Sequence, residues 1–130
     1  MDKKKTALIT GASKRIGKTL SLFLARKDWN IALHYNNSEK DALELKKEIE
    51  YYNVNCEIYK AYLEILAAGK KLIQEVYENH STLNLLINNA SVFEKSPIIN
   101  IDEKTFDKHF NVNFKVPFFM IREYLSLIHI

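Results

Sequence analysis

The short apolar run Ala7-Leu8-Ile9 leads directly into Thr10-Gly11-Ala12-Ser13-Lys14-Arg15-Ile16-Gly17, which sets a glycine turn between a buried strand and a helix. A helix N-terminus presents unpaired N–H groups and the positive end of its dipole. Glycine also lacks the Cβ that would hold an anion away from the backbone. The chemistry implied is anion binding, with Gly11, Ser13, Lys14, Arg15, Ile16 and Gly17 as the candidate cradle. The middle glycine of the usual dinucleotide pattern is replaced by Arg15, so the turn alone is also compatible with a bland strand-turn-helix.

Strand and helix patterns alternate along the rest of the chain, the signature of a parallel sheet with crossover helices. A first helix is predicted from Arg15 to Lys27, with Ile16, Leu20, Phe23 and Leu24 as its apolar stripe. Asn30-Ile31-Ala32-Leu33-His34 reads as a second strand. Ser38 with Asp41 signals an N-cap, and Ala42, Leu45 and Ile49 carry a second helix toward Tyr52. Cys56–Lys60 reads as a third strand, and Leu72, Ile73, Val76 and Tyr77 mark the helix after it. Gly69 leaves the start of that helix open.

Leu83–Ile87 reads as a fourth strand that opens into Asn88-Asn89-Ala90-Ser91 and a loop extending past Pro97. Asp102 is the expected N-cap of a helix through Phe106 and Phe110. The pattern continues from Asn111 to Leu127, with a break or restart expected around Asn113 because Pro117 interrupts it. The fold expected is α/β, a Rossmann-like doubly wound parallel sheet that is incomplete, holding the first four strands and their helices. Residues 1–130 would form one partial NADP(H)-binding domain.

The cofactor expectation comes from the end of the second strand, where a dinucleotide site reads the ribose. The residues there are His34, Tyr35, Asn36, Asn37 and Ser38, with no acid among them. A carboxylate would repel a 2′-phosphate, whereas Lys14 and Arg15 suit it, so NADP(H) is favoured over NAD(H). The alternative is that both cations are solvated surface charges.

Composition excludes other classes. The chain has 130 residues, 47% hydrophobic and 27% charged, as expected of one ordinary globular domain. Its +3 net charge is spread over mixed-sign helix faces, so no nucleic-acid partner is expected. The single cysteine, Cys56, permits no internal disulfide and reads as strand core. No secretory signal and no membrane-crossing segment is read, which makes a cytoplasmic setting the expectation. His34, His80, His109 and His129 are scattered over separate elements, so no metal site is expected.

Three spaced segments together resemble the short-chain dehydrogenase/reductase family over the whole chain. They are Thr10-Gly11-x-x-x-Arg15-x-Gly17, Asn88-Asn89-Ala90-Ser91 and Val112-Asn113-Phe114-Lys115-Val116-Pro117-Phe118. Within the family the chain looks most like the pteridine reductase group, which carries arginine at the middle-glycine position and a His-Tyr-x-x-Ser segment, here His34 to Ser38. The resemblance implies cofactor contacts from Arg15, Ile16, Tyr35, Asn36 and Ser38 on the phosphate and adenosine side. It implies contacts from Asn89, Ala90 and Ser91 on the ribose and nicotinamide side.

Asn113 matches the family's structural and proton-relay asparagine, or is a helix-breaking polar residue. Phe93 stands where the pteridine reductases stack an aromatic on a flat substrate, which implies a pterin-like ligand; alternatively it is tucked into the core.

Two departures accompany the match. The family commonly has an adenine-binding aspartate after the third strand, and Tyr62 stands there. The family's catalytic Ser and Tyr-x-x-x-Lys are also missing. Tyr35, Tyr51, Tyr52, Tyr59, Tyr62, Tyr77 and Tyr124 have no lysine four residues on. A phenol titrates near pH 10 unless a cation lowers it, so proton delivery at neutral pH is not expected from this chain.

Three readings follow. The chain is the N-terminal part of an NADP(H)-dependent oxidoreductase, inactive alone and active with a complementing chain. It is a non-catalytic nucleotide-binding or interaction module, in which Leu85-Leu86-Ile87 form an open sheet edge and Phe118, Phe119, Ile121 and Leu125 lack cover, inviting a partner or homo-oligomer. Or it is a decayed gene product.

Overall fold

The computed structural model describes residues 3–128. His129 and Ile130, expected at the end of the last helix, lie outside the described residues. Four strands, β1 (Thr6–Ile9), β2 (Asn30–Tyr35), β3 (Cys56–Lys60) and β4 (Leu85–Ile87), form one sheet in the order β3-β2-β1-β4. All three pairings are parallel, with Ile9 opposite Leu33 and Ile87, and His34 opposite Tyr59.

Period-two alternation divides the strand residues between two apolar layers. Ala7, Ile9, Ile31, Leu33 and Cys56 pack with Ala25 of α1 (Arg15–Arg26) and with Ala42, Leu45 and Ile49 of α2 (Glu39–Glu50). Leu8, Ala32 and Tyr59 pack on the other face. Their partners are Leu72, Ile73 and Val76 of α3 (Leu66–His80) and Val116 and Met120 of α5 (Val116–Ile128). Helices on both faces of a parallel sheet make this the Rossmann-like α/β arrangement. Burying each Leu or Ile of these layers contributes about 1.5–3 kcal/mol. Cys56 is buried in the first layer, which pushes its thiol up to about 12 and leaves it a packing residue.

Several boundaries differ from the sequence expectation for local reasons. The first helix stops at Arg26, one residue early, as the Lys27 amide folds back onto the Leu24 carbonyl and Asp28 turns to φ +70°. The fourth strand starts at Leu85 because Asn84 replaces a ladder pair with its own groups. Its amide donates to Thr6 O, and its Oδ1 accepts from Thr6 N, each at 2.9 Å. Ser38 stands at the N-cap of α2 but makes no side-chain cap bond, and Asp41 pairs with Lys14 at 3.4 Å instead. Asp102 does cap α4 (Glu103–Phe110), accepting from Thr105 N at 2.8 Å.

Gly69 lies inside α3, not before it. A Cβ there would stand 2.6 Å from Val116 Cγ1 and 3.0 Å from Met120 Cγ, so its bareness lets α5 approach.

The expected break around Asn113 is corrected. The helix does not stop: residues Asn111–Lys115 form a π-turn that joins α4 directly to α5. Pro117 lacks an N–H and crowds the preceding turn, and the wider hydrogen-bond spacing absorbs both defects without ending the helix.

Two apolar features stay uncovered among the described residues. β4 is bonded to a strand on one side only, as an edge. Phe106, Phe110, Phe114 and Phe118 form a ladder along α4, the π-turn and α5, with ring centroids 6.2, 5.5 and 6.4 Å apart, each ring about half exposed or more. Ile121 and Leu125 extend the exposed run, whereas Phe119 is half-buried.

Candidate functional site

Because the strands are parallel, their C-terminal ends emerge together, and the loops that follow them enclose a cleft of about 610 Å³. Ligands of open parallel sheets sit at such ends. The glycine turn forms one wall. Gly11 has φ +59°, and a Cβ on it would stand 3.0 Å from Ala90 Cα. Gly17 is buried beneath the turn. A Cβ there would collide with the Gly11 carbonyl oxygen and stand 2.8 Å from both Ala12 Cα and Asn89 Nδ2. Both glycines are therefore demanded by close approach. Arg15, the first residue of α1, adopts φ +52°, which costs an L-residue about 1–2 kcal/mol.

The opposite wall is the segment after β4. Asn89 Nδ2 donates to the carbonyls of Thr10 and Gly11, each at 3.1 Å. The floor is tied together by His34, which is 2% exposed. Gly11 N–H donates to its Nδ1 at 2.9 Å, so Nδ1 is bare and the proton sits on Nε2, which donates to Ala61 O at 2.9 Å. Burial pushes the ring's pKa down, and the bond to Ala61 offsets part of that.

Of the residues singled out in the sequence, Gly11, Lys14, Arg15, Ile16, His34 and Asn36 line the cleft on the β1 and β2 side. Asn89, Ala90 and Ser91 line it from β4. Ser13, Gly17, Ser38, Phe93 and Asn113 are not in the lining. Nor is Tyr35, which is packed into the first apolar layer and is 6% exposed. Lys14 and Arg15 are exposed, and Lys14 holds Asp41 in a solvent-screened pair. Tyr62 lines the cleft, with Lys60 Nζ 5.5 Å from its ring centroid.

Phe93 is 85% exposed, so it is not tucked into the core. The loop carrying it is held on both sides of that ring. Asn113 Oδ1 accepts from Val92 N, and Asn113 Nδ2 donates to Val92 O, each at 2.9 Å. His109 Nε2 accepts from Glu94 N at 2.9 Å while its Nδ1–H donates to Thr105 O at 2.8 Å. Lys108 Nζ donates to Glu94 Oε1 at 2.9 Å, which holds the Glu94 carboxyl below the usual range and raises the Lys108 ammonium. Sequence reasoning missed Lys108 and His109 as loop clamps. Their partner Glu94 lies 14 and 15 residues away, and no local spacing marks such a pair.

With the cleft described, comparison with known proteins is informative. A family model described as short chain dehydrogenase matches residues 5–129. The hydroxynaphthalene reductase-like protein Arp2 of Metarhizium anisopliae is 30% identical over 116 residues, covering 89% of this chain and 43% of that protein. The 3-oxoacyl-[acyl-carrier-protein] reductase FabG of Staphylococcus aureus is 30% identical over 119 residues, covering 92% of this chain and 48% of that protein. Among solved structures, FolM alternative dihydrofolate reductase 1 from Brucella suis in complex with NADP superposes with a TM-score of 0.85 at 28% identity. That match covers 92% of this chain and 50% of that one. The chain thus spans about half the length of the relatives it matches. With nearly all of its residues accounted for by the family model, it belongs to the short chain dehydrogenase family.

Proposed function

We propose that the cleft takes NADP(H), and that the chain is the dinucleotide-binding part of a pteridine-reductase-like oxidoreductase acting on a pterin-like or carbonyl substrate. The observation that carries the cofactor choice is the charge around the cleft. Lys14 and Arg15 line it from the glycine turn and the neutral Asn36 and Asn37 line it directly after β2, while the other charged lining residues, Glu64 and Lys108, come from other segments. A 2′-phosphate meets cations there and no carboxylate at the strand end. Asp41 already draws Lys14, and the dianionic phosphate competes for it at the exposed rim.

The glycine turn fits a pyrophosphate, since a Cβ at Gly11 would fill the space against Ala90. When bound, the reduced dinucleotide supplies a hydride. The chain's own residues orient it: Asn89 fixes the turn, Ala90 and Ser91 line the nicotinamide side, and Asn113 holds the loop that presents Phe93. Phe93, exposed beside the cleft loop, offers a flat apolar face to a flat substrate. The NADP-bound Brucella suis relative, a dihydrofolate reductase by name, supports both the cofactor and the pterin-like substrate class.

Proton delivery is the missing part. Tyr62 is the phenol that lines the cleft among the described residues, and Leu66, not lysine, stands four residues on. Turnover by this chain alone is expected to be negligible. The test is equilibrium titration with NADP⁺ and NAD⁺ at pH 7.5. At least tenfold tighter binding of NADP⁺ is expected, and equal affinities or no binding would overturn the cofactor assignment.

A second reading, a non-catalytic nucleotide-binding module, is favoured by the exposed Phe106–Phe118 ladder. Co-expression with a family fragment carrying Tyr-x-x-x-Lys separates the two, because NADPH consumption appears only if the chain is part of an enzyme.

A further inference from the structure

His34 joins three chain segments that meet beneath the cleft, and both of its ring nitrogens are committed to backbone. Gly11 N–H requires a bare Nδ1, and Ala61 O requires a protonated Nε2. The ring is buried, so a broken bond leaves the ring nitrogen itself without a water partner. The backbone on either side repeats the tie, with Ala12 N donating to His34 O and Ala61 N donating to Tyr35 O. The charged and titratable groups on the surrounding elements are Lys14, Arg15, Tyr59, Lys60, Tyr62, Glu64 and Lys108. None of them hydrogen-bonds the ring.

A second proton on this imidazole would fall on Nδ1, facing the Gly11 N–H donor to donor. The turn must then move away, and the room beside Gly11 is small, because a Cβ built on it would stand 3.0 Å from Ala90 Cα. We infer that His34 is a positioning residue for the dinucleotide turn, with its neutral Nε2–H form setting the Gly11 geometry, so that ring protonation and occupation of the cleft exclude one another. This rests on the proposal that the cleft binds a dinucleotide. It differs from an ordinary phosphate contact, in which a histidine would be favoured in its charged form.

The two roles predict opposite signs. If the ligand selects the neutral ring, binding lowers the apparent pKa of His34 by linkage, and affinity falls up to tenfold for each pH unit below the ring's pKa. If the ring pairs with phosphate, binding raises that pKa. Long-range ¹H–¹⁵N spectra of the full chain, recorded from pH 5 to 8 with and without saturating NADP⁺, read the tautomer and the titration directly.

The expected result is an Nε2–H tautomer whose titration moves to lower pH with NADP⁺. A rise, or no change, would overturn the inference while leaving the dinucleotide reading intact. No shift of the Gly11 and Ala90 amides with NADP⁺ at pH 7.5 would instead remove the dinucleotide reading, and this inference with it. His34→Asn keeps an acceptor for Gly11 but does not titrate. The acid loss of NADP⁺ affinity should be shallower in this variant, retaining only the part due to the 2′-phosphate itself. An identical acid profile in the variant would also overturn the inference.

Discussion

Thr10 and Asn89 hold the two walls of the cleft in fixed relation. The Thr10 hydroxyl oxygen accepts the amides of Asn89 and Ala90 at 2.9 Å, while Asn89 Nδ2 returns a bond to Thr10 O at 3.1 Å. The Asn89 amide also reaches the Ile87 carbonyl at 3.1 Å, so the Ala90 amide is the one that depends on the Thr10 hydroxyl. Thr10→Val preserves shape but leaves the Ala90 donor unmet, and a loss of about 1–3 kcal/mol is expected in urea unfolding. Exchange at the Asn89 and Ala90 amides should rise with it.

Arg15→Ala tests the charge assignment. If the guanidinium meets the 2′-phosphate, losing a charge-assisted bond of about 1.5–3 kcal/mol weakens NADP⁺ by roughly 10- to 100-fold. NAD⁺ affinity should change little, and titration calorimetry with both nucleotides checks the contrast. Relief of the positive φ at residue 15 is not expected, since alanine suffers the same conformation.

Two glycine substitutions separate packing from binding. In a helix, alanine is favoured over glycine by about 1 kcal/mol, but overpacking costs about 1–3 kcal/mol, and backbone atoms cannot retreat. Gly17→Ala meets Gly11 and Ala12 backbone, so both stability and nucleotide affinity should fall. Gly69→Ala meets Val116 and Met120 side chains, which are outside the cleft lining, and should lower the unfolding midpoint with binding intact in the folded fraction.

Asn113→Ala removes two bonds to Val92 at an exposed site, where water partly replaces them. The expected cost is about 1 kcal/mol of global stability. The larger effect is local, with faster hydrogen exchange across residues 92–94.

Stability should decline toward mild acid. His34 is held neutral by burial, below the ordinary 6.5, so the unfolded chain binds the extra proton first. The contribution is fully present above about pH 6.5 and is lost as pH falls toward the lowered native value, at up to about 1.4 kcal/mol per pH unit. His80, lowered by burial as well, acts in the same direction. Urea midpoints measured between pH 7.5 and 5.5 should fall, and His34→Asn should flatten the slope.

The sheet was legible because period-two runs such as Ile31–Leu33 and helical stripes such as Ala42, Leu45 and Ile49 are local patterns that burial enforces. The glycine turn was legible from its local spacing, and Gly17 does answer to the nearby Gly11 and Ala12 backbone, although Gly11 makes room for Ala90 far along the chain. What escaped depends on partners distant in the chain. His109 looked idle until Glu94 was brought beside it, and Tyr35 looked available until its ring packed into the sheet face. Pro117 announced a disturbance, but its sequence could not say whether the helix would end or widen.

The widened turn at Asn111–Lys115 also constrains how this chain can vary. A residue added to a helix swings everything after it by about 100°. Here that swing would carry Val116 and Met120 away from Gly69 and bring polar neighbours onto the sheet, whereas one residue removed from the wide turn closes it to ordinary α spacing. Insertions in this segment should therefore be far less tolerated than in the loop before Asp102, and a single deletion better tolerated here than elsewhere in the helix.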